Sequence, residues 1–188
     1  MKRLLYYLLM ASGSVLVFLG ARDFIESHLG QTAAARNFDA PSPLTRKAPA
    51  IHPGDTVAKL SIPRLNSQLY VVEGDDEREL RRGPGHIPGT AMPGARGNSV
   101  IAGHRDTHFR VLKDIRDGDD IVVETAAGQF LYRVRNTSIV PPSDTRSLQQ
   151  ASAPVLHLIT CYPFSYVGSA PQRFIVEARL AGQVTQVE

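Results

Sequence analysis

The chain carries one cysteine in 188 residues, Cys161, so no intrachain disulfide can staple it. It has no internal repeat, which argues against a solenoid or propeller array. It has no long run of like charge, and its formal net charge is only +3. A charge that small and that scattered is not the footprint of a nucleic-acid-binding protein. A mildly basic exported protein would favour an anionic envelope, though only weakly. No cluster of metal-ligand type stands out beyond His104, Asp106 and His108, where Asp106 serves equally well as a helix N-cap. No metal and no other cofactor is expected.

What is present begins at the N-terminus. Leu4 to Ala21 is apolar apart from Tyr6, Tyr7, Ser12 and Ser14. A helix of that length reaches about 27 Å, close to one bilayer core. Lys2 and Arg3 precede the run, whereas Arg22, Asp23 and Glu26 follow it, which places the N-terminus in the cytoplasm and the rest outside. Ala11-Ser12-Gly13 has the form of a signal-peptide cleavage site, but Val15-Leu16-Val17-Phe18-Leu19 continues the apolar run past it. The expectation is therefore an uncleaved single-pass anchor in the cell membrane over residues 1–24, with the remaining chain extracytoplasmic. Residues 25–54, with Pro41, Pro43, Pro49 and Pro53, read as an Ala/Pro-rich linker, partly extended.

The folded domain is expected over residues 55–188. Strands are predicted at Val57–Ile62, Gln68–Val72, Asn98–Gly103, Asp120–Glu124, Gln129–Val140, Val155–Cys161 and Phe174–Leu180. Asp76–Arg82 and Phe109–Ile115 suit short helices, and Gly83–Gly97 reads as a turn-rich loop without regular structure. Many short strands with few helices imply a mainly β, antiparallel-rich barrel.

Three side chains stand where apolar runs end or begin: His104 after Ser99-Val100-Ile101-Ala102-Gly103, Cys161 before Tyr162-Pro163, and Arg173 ahead of Phe174. If the last two strands are antiparallel neighbours, Cys161 and Arg173 occupy one rim of the sheet. His104 joins them if its strand runs suitably. A thiolate is a strong nucleophile, an imidazolium lowers its pKa and then donates a proton, and a guanidinium stabilises an oxyanion. The set suffices for acyl transfer from an amide. Singly, each has a plainer reading: a buried thiol, a solvated histidine, an arginine paired with a carboxylate. Among the other histidines, His157 lies four residues before Cys161, about 13 Å along a strand and too far to share its proton. His86, in the Gly/Pro loop, is placed to line a groove.

At these residues the chain resembles the sortases, the cysteine transpeptidases of bacterial envelopes. The matching segments are Gly83-Pro84-Gly85-His86, Pro88-Gly89-Thr90, Gly97-Asn98-Ser99-Val100-Ile101-Ala102-Gly103-His104-Arg105, Leu158-Ile159-Thr160-Cys161-Tyr162-Pro163 and Arg173-Phe174-Ile175-Val176. Cys-Tyr-Pro-Phe and the compact size are most similar to class D, including its proteobacterial relatives, and the Ala- and Arg-rich makeup points to a high-GC genome. The resemblance implies a closed eight-stranded β-barrel and a Leu-Pro-x-Thr-Gly-like C-terminal sorting signal on exported proteins as substrate. Cys161 would hold the threonine as a thioester, Arg173 would steady the oxyanion, and His104 would protonate the leaving amine. Thr160 and His86 would contact substrate. The amine acceptor on the envelope stays open, and no acidic pattern here matches the calcium sites of some sortases.

Two other enzymes compete. A hydrolytic cysteine peptidase would use water as acceptor. An L,D-transpeptidase would place an arginine two residues after the cysteine, where this chain has Pro163. The non-enzymatic alternative is a β-domain that only binds envelope peptides.

Overall fold

The computed structural model describes residues 2–39, 50–166 and 168–184. Eight strands close into a barrel: β1 Thr56–Ile62, β2 Ser67–Glu73, β3 Gly85–His86, β4 Asn98–Gly103, β5 Asp120–Thr125, β6 Gly128–Val140, β7 Val155–Tyr162 and β8 Gln172–Val184. Their order around the barrel is β1-β2-β3-β4-β7-β8-β6-β5, with β5 returning to β1. Six of the eight ladders are antiparallel, as the short strands predict; β2–β3 and β4–β7 are parallel. The β4–β7 ladder matters most for the site, because two strands far apart in sequence end at the same rim.

Period-two alternation builds the interior. Leu60, Ile62, Val71, Ile101, Ile121, Val123, Tyr132, Leu156, Leu158, Val176 and Ala178 face one another inside and are essentially inaccessible to water. The segment from Ile87 to Gly97 crosses the end where β4 begins, and the Gly94 N–H donates to the Tyr132 hydroxyl at 2.7 Å. A Cβ at Gly94 would lie 2.2 Å from the Phe130 ring, so only glycine permits this close approach. The Gly83–Gly97 stretch, expected to be irregular throughout, contributes β3. Two residues are too few to leave a periodic signal.

The N-terminal region departs from expectation. A single helix, α1, runs from Lys2 to Phe38. The expected span Leu4–Ala21 lies within it, yet among the described residues no helix is long and apolar enough to cross a membrane. Tyr6, Tyr7, Ser12, Gly13 and Ser14 dilute the apolar run. The expected linker is helical as far as Phe38, because Gln31-Thr32-Ala33-Ala34-Ala35-Arg36 is rich in helix formers and all four prolines lie beyond it. Residues 40–49 of that linker lie outside the described residues.

This second half of α1 docks on the barrel. On β2, β3 reaches only Val72 and Glu73, so Tyr70, further back along that strand, has no strand partner on that side. The Gln31 side chain fills the gap: its oxygen accepts from the Tyr70 N–H at 2.7 Å, and its nitrogen donates to the Tyr70 carbonyl at 2.9 Å. The same nitrogen donates to the Arg82 carbonyl, at 3.1 Å, at the end of the short helix α2, Glu77–Arg82. Gly30 lets the two helices touch, since a Cβ there would sit 2.6 Å from the Arg82 backbone.

Candidate active site

Cys161 and Arg173 are direct register partners across the antiparallel β7–β8 ladder. Directly opposed side chains project to the same face, with Cβ atoms about 4.5–5.5 Å apart. That face is the outer one, because Leu158 and Thr160 of β7, and Phe174 and Val176 of β8, take the inward parity. On the other side of β7, the parallel β4 ladder ends at the pair Gly103–Thr160. The next residues on these two strands are His104 and Cys161. The tertiary structure thus brings His104, Cys161 and Arg173 to one rim, on three adjacent strand ends.

The rim is fixed by contacts underneath it. The Thr160 hydroxyl donates to the Gly103 carbonyl at 2.6 Å, and Thr160 is 2 % exposed. It points inward and joins the two strand ends, so the expectation that it touches substrate is corrected to a structural bond beneath Cys161. Gly103 lies so close to Phe109 that a Cβ would approach its ring to 2.7 Å. The Phe109 N–H then returns to the His104 carbonyl at 2.9 Å, closing the turn that carries His104. Inward of Cys161 and Arg173, Tyr162, Phe164 and Phe174 pack their rings at centroid distances of 5.9, 6.3 and 5.3 Å. Phe164 and Phe174 of this cluster pack against the core.

Arg173 makes its hydrogen bonds to backbone carbonyls, from Nη1 to Gln172 at 3.1 Å and to Ala170 at 3.4 Å, and among the described residues to no carboxylate. Its positive charge is therefore not neutralised by these partners. His108, in the 3-10 helix His108–Asp114, is buried, and its Nε2 lies 2.8 Å from the Ser27 hydroxyl of α1. Burial, reinforced by the nearby His104 imidazole, holds the His108 pKa down at about 4, against the opposing influence of Ser27 and Asp106. His108 is thus neutral near pH 7. His157 turns away from Cys161, and its Nδ1 meets the Asn98 side-chain oxygen at 2.7 Å.

His86 is 2 % exposed and lines no groove. Its Nδ1 bonds Glu73 at 2.7 Å, and its Nε2 bonds the Ala91 carbonyl at 3.1 Å, within the segment that crosses the other end of the barrel. Among the described residues no group of three or more His, Cys, Asp or Glu is placed to hold a metal ion. Two contributors escaped the sequence reading, Ser27 and Arg105. Ser27 fell in the presumed linker. Arg105 was visible only as the neighbour of His104.

A closed barrel thus carries a thiol, an imidazole and a guanidinium at adjacent strand ends on one rim. A sortase domain matches residues 60–181, and the chain belongs to the sortase family. It is 40 % identical over 124 residues to Sortase D of Bacillus subtilis, a match covering 65 % of this chain and 63 % of that one. The chain therefore spans less than two thirds of that curated relative's length. Among solved structures, a Clostridium perfringens Sortase D5 transpeptidase superposes with a TM-score of 0.71 at 28 % identity, covering 84 % of this chain and 99 % of that one. The catalytic domain of B. anthracis SrtD gives 0.63 at 32 % identity, covering 77 % and 100 %. The class D resemblance carried by Cys161-Tyr162-Pro163-Phe164 is matched by these relatives.

Proposed function

We propose that this chain is a membrane-attached transpeptidase that cuts a Leu-Pro-x-Thr-Gly-like sorting signal and passes the acyl group to an amine of the cell envelope. The observation that carries the reading is the register: Cys161 opposite Arg173, and His104 one step beyond the Gly103–Thr160 pair. The Cys161 thiolate attacks the threonine carbonyl, and Arg173 stabilises the oxyanion with a charge that needs no proton transfer. The Thr–Gly C–N bond then breaks as the His104 imidazolium gives its proton to the leaving amine, which leaves a thioester. An incoming amine loses a proton to His104 and attacks the thioester carbon; the C–S bond breaks and the thiolate is restored. Water in place of the amine would make the enzyme a hydrolase.

Attachment is proposed through the first half of α1. Leu8, Leu9, Met10, Val15, Leu16, Val17 and Phe18 are 56–72 % exposed, an apolar surface that an acyl-chain environment would cover. Lys2 and Arg3 at its start suit anionic headgroups. The test combines two measurements. With a Leu-Pro-x-Thr-Gly peptide, intact mass should show an acyl adduct on wild-type protein and none on Cys161→Ala, and an added amine should discharge the adduct faster than water does. An adduct on Cys161→Ala sinks the reading. Recovery of the full chain in the soluble fraction after cell lysis sinks the attachment.

A further inference from the structure

Arg105 follows His104 directly, and its guanidinium reaches across the rim. Nη2 donates to the Tyr166 carbonyl at 2.8 Å and to the Gly168 carbonyl at 3.1 Å, and the guanidinium carbon lies 5.7 Å from the centre of the Tyr166 ring. Tyr166 and Gly168 belong to the connection between β7 and β8, the stretch whose two ends carry Cys161 and Arg173. One side chain therefore ties the turn of His104 to the segment that joins the other two. Nη1 of Arg105 is buried and has no hydrogen-bond partner among the described residues. A buried donor without an acceptor is unfavourable for stability. The arginine is a poor choice for stability alone, and a good one if its two backbone bonds hold the rim in shape.

We infer that Arg105 is a positioning residue, which sets the His104 turn against Cys161 by holding the backbone at Tyr166 and at Gly168. The inference rests on the reading above that His104 serves Cys161. Displacing a reacting group by about 1 Å costs up to a hundredfold in rate, so loosening this tie should be readable in the thiol itself, before any peptide is involved.

The experiment uses the full chain and two variants. Arg105→Met keeps an apolar stem and removes the donors; Arg105→Lys restores a charge and up to three donors on a shorter reach. The first readout is the pH profile of Cys161 alkylation by iodoacetamide. The second is the rate of chymotrypsin cleavage after Tyr166, which reports how firmly that backbone is held. In Arg105→Met the alkylation rate at neutral pH should fall roughly tenfold or more with the profile displaced to higher pH, and cleavage should quicken. Arg105→Lys should return both part of the way. Wild-type profiles in Arg105→Met, or a lowered unfolding midpoint with an unmoved alkylation profile, overturn the inference. Changes in Arg105→Met with no return in Arg105→Lys overturn it as well. His104→Ala is the control for the underlying reading: if it alkylates with the wild-type profile, the assignment of His104 fails, independently of Arg105.

Discussion

Cys161 and Arg173 face each other across the β7–β8 ladder, while Arg173 rests on the carbonyls of Ala170 and Gln172. The guanidinium is held by backbone rather than by an acid, so its charge remains available beside the thiol. Arg173→Lys keeps a charge but loses the planar fork that can bond backbone carbonyls and an oxyanion together. Acyl-adduct formation should fall by roughly two to three orders of magnitude, the scale of losing one oxyanion donor. Single-turnover kinetics with the sorting peptide measure it, and a lysine variant with wild-type rate would remove Arg173 from the mechanism.

The three histidines nearest to this argument should separate cleanly. His104→Ala should lose roughly two to four orders of magnitude in turnover, the usual worth of a general acid–base group. His157→Ala and His86→Ala should act through stability instead, because their rings bond Asn98 and Glu73 respectively. Turnover per folded molecule, corrected with an unfolding curve, makes the distinction. A dead but fully folded His157→Ala would reverse the assignment.

Thr160→Val tests the bond beneath the rim. It keeps the shape but deletes the hydroxyl that donates to Gly103, leaving a buried acceptor short of a partner. The cost should be about 1–3 kcal/mol, read as a lowered denaturant midpoint at unchanged slope. Activity should fall beyond what the unfolded fraction explains, because Gly103 precedes His104. A variant as stable and as active as wild type would show that the bond does nothing.

Acid should weaken the fold before the carboxylates titrate. The folded-state pKa of His108 is depressed from 6.5 to about 4 by burial, and that of half-buried His157 is also lowered, again by desolvation. A depressed value means that the unfolded chain binds these protons more readily. The His108 contribution is therefore complete above about pH 6.5 and is lost as pH falls toward about 4, at roughly 1.4 kcal/mol per pH unit; His157 acts in the same direction. Asp119, whose carboxyl is held low by Arg64, titrates below this window. Denaturant midpoints at pH 7 and pH 4.5 should differ, and His108→Gln should flatten the difference. Equal slopes in both proteins would contradict it.

A chain beginning at Asp55 should still fold with a β-dominated circular dichroism spectrum, since the core is supplied by the strands other than β3 and by the 3-10 helix that follows His104. It should be less stable than the full chain, because it lacks the bonds from Gln31 to Tyr70 and from Ser27 to His108. Equal stability would mean that α1 is a passenger; failure to fold would mean that it is part of the core.

Much of the barrel was legible because alternation is a local property. Val155–Tyr162 and the last strand declare their inner and outer faces residue by residue, and His104, Cys161 and Arg173 stand out as chemistry at the ends of apolar runs. Three things were not legible. β3 is two residues long and leaves no periodicity. The part of α1 from Ile25 to Phe38 was obscured by the prolines that follow it, and its docking is a matter of one glutamine finding an unpaired strand edge. Thr160 and Arg105 have roles that depend on what lies across the fold, Gly103 in one case and the backbone at Tyr166 and Gly168 in the other. The sequence by itself determined the residue types of the site, the strand segments and the membership they imply. Only the tertiary structure decided that β4 runs parallel to β7, and so that His104 arrives beside Cys161 rather than at the far end of the barrel. Strand direction in a sheet is set by how distant segments pair, and no window of sequence contains both partners.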